Sequence, residues 1–292
     1  MKKISFLLVI LAFSIGFNSC DKIDEPYLEQ SQVAACDTPS FPALSNPIQK
    51  VFLEEFTGHT CVNCPQGHKK AADLKDLYGD TLVLMSIHGG STAEPVAGTI
   101  YTADYRTDAG NELYTSFSVS GNPAGLVNRT SFMGNLVLGV SYWSAAVKAI
   151  DRTNPKLAIQ LETVDNESAN SVCIFAKTTF LQATQKNIKL SLFLIEDSIV
   201  SPQKNNLSSI GPVPDITDYI HRHMLRASVN PVWGDVIANS STSMQPNTSL
   251  IKGYTFSFVG KSFVKSKCSV TAVAYDVDTK EVIQVEEIHL SH

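Results

Sequence analysis

Hydrophobic and polar positions change period partway along this chain, and the change divides it. The apolar run Val51-Phe52-Leu53-Glu54-Glu55-Phe56 reads as a strand; residues 65–78, with Ala71, Leu74 and Leu77 on one face, read as a helix; residues 81–88 read as a second strand. That is a βαβ unit. Residues 89–110, rich in Gly, Thr and Ala, should loop over its top. A short helix near 111–117, a turn through Asn122-Pro123 into another strand, and a helix over 141–151 carrying Trp143, Val147 and Ile150 on one face complete this part.

After Asn154-Pro155 the period becomes two. Leu157, Ile159 and Leu161 alternate with polar or small residues, as do Ile188, Leu190, Leu192 and Leu194, and later Tyr254, Phe256 and Phe258. These are half-buried antiparallel strands. With 171–181, 269–278 and 281–290 they make about six, the last two joined by a hairpin at 276–280, which favours a sandwich. Residues 201–247 form a long Pro, Asn and Ser-rich excursion, and long ordered loops are uncommon unless functional. Within it, 219–227 reads as a loop or edge strand. The expected fold is therefore α/β over 47–152 and all-β, antiparallel and sandwich-like, over 155–292.

The N-terminus changes the picture from a cell-interior protein to an exported one. Met1-Lys2-Lys3 followed by the apolar stretch 4–17 and then Cys20 reads as a secretory signal. The stretch is shorter than the roughly 20 residues of a spanning helix. Cys20 at the cleavage point resembles a bacterial lipobox, which implies lipidation at Cys20 and a membrane link through an N-terminal lipid anchor. Residues 21–46, with three prolines and no sustained period, read as a mobile tether. Loss of Lys2 and Lys3 with residues 1–20 takes the formal charge from −5 to −7. A mildly acidic chain without a basic patch excludes nucleic acid as an expected partner.

The candidate chemistry is Cys61-Val62-Asn63-Cys64, between the first strand and the first helix. Two such cysteines can close a small disulfide, and the positive helix end favours the thiolate of the first. Cys61 is the expected nucleophile and Cys64 the resolving thiol. Val62 and Asn63 bring no positive charge, so His59 is a candidate thiolate partner if protonated, or else simply exposed. Pro65 lacks an N–H and suits a helix beginning there. Zinc is the competing chemistry, since Cys61, Cys64, His59 and His68 supply a Cys2His2 set. Export into an oxidising compartment argues against it, and no metal or cofactor is expected. His221 and His223 read as surface or hydrogen-bonded residues. Cys36 lies in the tether, while Cys173 and Cys268 are open either to bridging each other or to remaining buried thiols.

Residues 47–152 resemble the thioredoxin fold. Glu55, six positions before Cys61, stands where thioredoxins carry a buried acid, which implies proton exchange with Cys64; Glu54 is then expected to point outward. Asn122-Pro123 resembles the cis-proline loop that faces the dithiol, with Pro123 beside the sulfurs and Gly121 and Asn122 offering backbone to an extended peptide. The implied activity is thiol–disulfide exchange, with protein thiols or disulfides as partners. Across nearly the whole mature chain, Thr57-Gly58-His59-Thr60-Cys61-Val62-Asn63-Cys64-Pro65, Gly121-Asn122-Pro123-Ala124-Gly125, and Tyr219-Ile220-His221 through Arg226-Ala227-Ser228 with Trp233-Gly234-Asp235 resemble the twenty-eight-kilodalton outer-membrane protein family. That resemblance implies a lipid-anchored outer-membrane location, periplasmic or surface-exposed, and Asp24 and Glu25 look like surface-export signals. The alternative of a different class is a surface binding or adhesion lipoprotein that uses the thioredoxin fold as scaffold and residues 201–247 as contact.

Overall fold

The structure, a computed structural model, describes residues 35–290. The signal, Cys20, Asp24, Glu25 and tether residues 21–34 lie outside them. The described chain is β-rich, with a mixed sheet and few helices. Its elements are β1 Val51–Thr57, α1 Cys64–Tyr78, β2 Leu82–His88, α2 Asp108–Ser116, β3 Ala124–Val127, α3 Val140–Ala149, β4 Leu157–Asn166, β5 Ser171–Phe180 and β6 Ile188–Glu196. There follow four two-residue strands, β7 Ile199–Val200, β8 Gln203–Lys204, β9 Asp215–Ile216 and β10 Ile220–His221. The last five are β11 Met224–Ser228, β12 Asp235–Ala238, β13 Ser249–Ser257, β14 Cys268–Asp276 and β15 Val282–His289.

Among the described residues the largest sheet has eight strands in the order β15-β14-β6-β11-β2-β1-β3, with β12 also on β6. β1 and β2 run parallel and are buried at all seven positions each, so they read as near-continuous apolar runs. Parity then sorts the side chains. Val51 and Leu53 face α1 and α3, joining Leu74, Trp143 and Val147 in one core. Phe52 and Phe56 face the other way, joining Ala109 and Leu113 of α2 in a second core that continues through Phe193, Ile195 and Val273. A three-stranded antiparallel sheet, β13-β5-β4, shares a third core with Leu190, Leu192 and Leu194 of β6 and with Val270 and Ala272 of β14.

Two expectations about organisation need correction. β11 is neither loop nor edge: it lies inside the large sheet, pairing antiparallel with β6 and, at Met224, parallel with Ser86 of β2. Hydrogen bonding therefore crosses from residues 47–152 into residues 155–292. A strand of five residues with a register shift carries too few alternating positions to be seen in the sequence. The tether is also less free than its composition suggests. Cys36 is disulfide-bonded to Cys173 of β5, Ala35 N–H donates to Thr255 Oγ1 of β13, and Gln160 Nε2 donates to the Pro42 carbonyl. Cys268 is accordingly a buried free thiol and not the partner of Cys173.

Candidate functional site

The site begins where β1 ends. Gly58 carries the chain past residue 92 so closely that a Cβ on it would lie 2.4 Å from the Thr92 carbonyl oxygen, so only glycine fits. The chain then turns, Cys61 N–H bonding to the Gly58 carbonyl and Cys64 N–H to that of Cys61. α1 starts at Cys64 with Pro65 in its first turn and no acidic residue there. Nothing in that turn opposes a thiolate at the helix start. Cys61 and Cys64 are joined as a disulfide; Cys61 is 5% exposed and Cys64 fully buried.

Glu55 approaches from β1. It shares the α1 face with Leu53, and its Oε1 stands 2.8 Å from where a Cβ of Gly67 would be. Gly67 lies one turn after Cys64 on the same helix face, so its missing side chain lets the carboxyl come up against α1 at that turn. Pro123 is on the other side of the same glycine, its Cβ 3.1 Å from that position, and the Asn122–Pro123 bond is cis. Burial raises the Glu55 carboxyl to about 8, against a single hydrogen bond from Ser86 Oγ at 3.4 Å to Oε2. Oε1 has no hydrogen-bond partner.

The expectation that Glu54 points outward is wrong. Both acids are buried, on opposite faces of β1, because both faces are covered. Arg129, just past β3, meets Glu54 with two hydrogen bonds of 2.7 Å, and its guanidinium lies 5.0 Å from the centre of the Phe117 ring. A bidentate buried pair satisfies the charge that a lone carboxylate would leave exposed to a low dielectric.

The histidines also differ from expectation. His59 is buried, stacked on Tyr101 with ring centres 5.7 Å apart, and desolvation lowers its pKa. It is neutral at neutral pH and supplies no cation to Cys61. His68 Nε2 is 2.7 Å from Thr57 Oγ1 and Nδ1 is 2.7 Å from Tyr219 Oη. With both nitrogens so engaged and the cysteines paired to each other, the proposed Cys2His2 ligand set is otherwise occupied. His221 is buried, not at the surface, and packs among His88, Tyr105 and Tyr219 with ring centres 5.0 to 5.7 Å apart. Of these rings Tyr105 comes from the loop that follows β2, which the sequence showed only as a Gly, Thr and Ala-rich connection.

The excursion after β6 is a strap across the dithiol. Gln203 Nε2 donates to the carbonyls of Gly58 and Cys61, Lys204 N–H to that of His59, and Asn206 N–H to that of Val62. Asn206 Nδ2 further donates to Asn63 Oδ1 at 2.6 Å. β8 pairs with β9, and Asn205 Nδ2 donates to the carbonyls of Leu207, Gly211 and Pro212, so the strap is internally braced. Gln203 and Asn206 are site residues that motif reading missed, signalled only by the length of the excursion, while Tyr219 stood in a family motif without a role assigned to it. On the opposite loop Gly121 is exposed, while the Asn122 side chain is occupied, its Nδ2 donating to the carbonyls of Thr57 and Gly89 and to Thr92 Oγ1.

A protein-family model described as Outer membrane protein Omp28 matches residues 110–292. Among solved structures, HBP35 of Porphyromonas gingivalis superposes with a TM-score of 0.61 at 16% identity, covering 84% of this chain and 76% of that one. A domain of the outer membrane lipoprotein Omp28 from the same organism matches 47% of this chain and 89% of its own length at 20% identity, with a TM-score of 0.30. Comparison with curated proteins gave no match. Among the described residues no helix is long and apolar enough to cross a membrane.

Proposed function

This chain belongs to the Omp28 outer-membrane protein family, and from that premise we propose that it carries out thiol–disulfide exchange on proteins of the cell envelope or surface. The observation that carries the reading is the Cys61–Cys64 disulfide at the start of α1, with a buried, proton-holding Glu55 beneath it. We read residues 47–152 as a thioredoxin-like arm and the β4-to-β15 region as a sandwich-like body grafted onto its sheet. Cys20 is the proposed lipid attachment point.

In the reduced protein the Cys61 thiolate attacks a substrate disulfide and a mixed disulfide forms. Cys64 gives its proton to Glu55 and attacks Cys61, releasing the substrate as a thiolate and closing the Cys61–Cys64 bond. Run backwards, the same steps oxidise a substrate dithiol, and the reduction potential sets the direction. In this reading the cis Pro123 flanks the dithiol, and Gly121 and Asn122 offer backbone to the incoming chain. Reduction of insulin by dithiothreitol should be accelerated by the wild type and not by Cys61→Ser. Equal rates for the two proteins would reject the activity. In the reduced protein iodoacetamide should label Cys61 before Cys64, as their exposures require. A Glu55→Gln protein should keep that order and accumulate mixed disulfides.

The strap favours a second reading, in which a covered disulfide serves as a staple and the protein is a surface binding lipoprotein. Selective binding to a glycan or protein that survives loss of both Cys61 and Cys64 would favour that reading.

A further inference from the structure

Glu55 can take a proton from Cys64 only after giving one up, and it is buried. A cleft of about 440 Å³ opens between α1 and the end of the strap, with Glu55, Ser86, His68 and Tyr219 among its lining residues. His68 is four residues after Cys64 on the same helix face. Its Nε2 is 3.7 Å from Glu55 Oε1, the oxygen without a partner, and its Nδ1 is 2.7 Å from Tyr219 Oη. The three groups form a file from the carboxyl to the cleft.

We propose that His68 and Tyr219 are a proton relay that discharges and recharges Glu55, positioning residues that act on Cys64 through the carboxyl. This rests on the exchange activity proposed above. The Glu55 O–H proton passes to His68 Nε2 as the Nδ1 proton passes to Tyr219 Oη and the Tyr219 hydroxyl proton passes to water in the cleft. Three bonds to hydrogen break and three form, the ring ends neutral in its other tautomer, and Glu55 is left as a carboxylate. Cys64 then gives its proton to Glu55, the Cys61–Cys64 bond forms, and the bond from Cys61 to substrate breaks with its electron pair leaving on the substrate sulfur. When the disulfide is next reduced, Glu55 returns a proton to Cys64, and the relay run backwards restores the first tautomer.

His68 suits this role because burial, and then the nearby His221, hold its pKa to about 3, so it does not trap the proton it passes. The Thr57 hydroxyl at 2.7 Å holds the ring in place and leaves a 3.7 Å gap to Glu55 that must close during transfer, as catalytic contacts often do on substrate binding. Other ionisable groups facing the file are His221 behind the His68 ring, with centres 6.4 Å apart, and Lys69, Asp218, Arg222 and His223 along the cleft.

The test uses the reduced full chain and dithiobis-nitrobenzoate. The first thionitrobenzoate released reports attack by Cys61 and the second reports the resolving step. Tyr219→Phe and His68→Ala should leave the first release unchanged and slow the second by about 100-fold, the lower end of a general acid–base contribution. The defect should be largest below about pH 8, where Glu55 holds its proton, and shrink above it. Imidazole added to His68→Ala should enter the open cleft and restore the rate, which it would not do for a merely structural loss. Equilibrium reduction potentials should match wild type, because a relay alters neither end state. A second release that is unaffected in both variants, or one slowed equally at every pH and deaf to imidazole, overturns the relay while wild-type exchange stands. A wild type that never makes the second release removes the exchange reading and the relay with it.

Discussion

Glu54 and Glu55 stand side by side in a strand whose seven residues are all buried, and parity alone separates their fates. Glu54 falls on the α2 face and meets Arg129, while Glu55 falls on the α1 face and meets only Ser86 and His68. The sequence shows that alternation, and with it that the two acids part to opposite faces of the strand. It gives no hint of Arg129, which is 75 residues away. Nor does it show that five histidines are held neutral. Burial lowers His59, His88 and His223, His68 is held at about 3, and His221 at about 4. In the unfolded chain these rings take up protons below about 6.5, so the unfolded state binds more protons there and stability falls with falling pH. Glu55 acts oppositely. The fold keeps its proton up to about 8, whereas the unfolded chain loses it above 4.5, so stability falls as pH rises between those values. Below 6.5 the large shifts of His68, His88 and His221 outweigh that of Glu55, and above it the Glu55 decline takes over. Urea midpoints should therefore peak near pH 6.5, and Glu55→Gln should remove the decline toward pH 8. A midpoint that stays level from pH 4.5 to 6.5 would contradict the neutral histidines.

At the scale of elements, the long strands and the helices were legible because each spans enough residues to show a period. The hairpin through 276–280 is likewise present, joining β14 to β15. The strap was legible only as an unusually long excursion. Its strands β8, β9 and β10 have two residues each, and its hold on the dithiol runs mostly through backbone carbonyls, which carry no sequence signal. This hold has a consequence for reactivity. Gln203 and Asn206 bridge to Gly58, Cys61, Val62 and Asn63, so the strap lies across Cys61, and under the proposed exchange activity a substrate would have to lift it. A Gln203→Ala, Asn206→Ala double variant should let iodoacetamide reach reduced Cys61 several times faster than in wild type. The loss of stability should be about 1–3 kcal/mol, since the two side chains contribute a few hydrogen bonds of modest net worth. An unchanged alkylation rate would mean that the strap does not limit access.

At the scale of the molecule, a sequence-based division at residues 152–155 meets a sheet that runs through it, because β11 links β2 to β6. Periodicity reports which face of a strand is buried and not which strand lies beside it, so this connection was out of reach. The same limit hid the partner of Cys173. Even a correct strand assignment leaves several pairings open, and the tether had no period to place Cys36. Joining Cys36 to Cys173 closes a loop of 137 positions, for which chain entropy alone gives about 5 kcal/mol of stabilisation. Cys268 is buried in the third core, with its thiol pushed up to about 12 by burial, and is inert while the protein is folded. Replacing Cys36 and Cys173 together by serine should therefore cost about 2–5 kcal/mol in urea unfolding. It should leave both phases of thionitrobenzoate release at wild-type rates, because neither residue approaches Cys61 or Cys64. Peptide mapping of the single Cys36→Ser protein supplies the sharper check: Cys173 should be found as a free thiol. A Cys173–Cys268 crosslink in that protein, or a double variant as stable as wild type, would show that Cys36 does not pin the chain to β5.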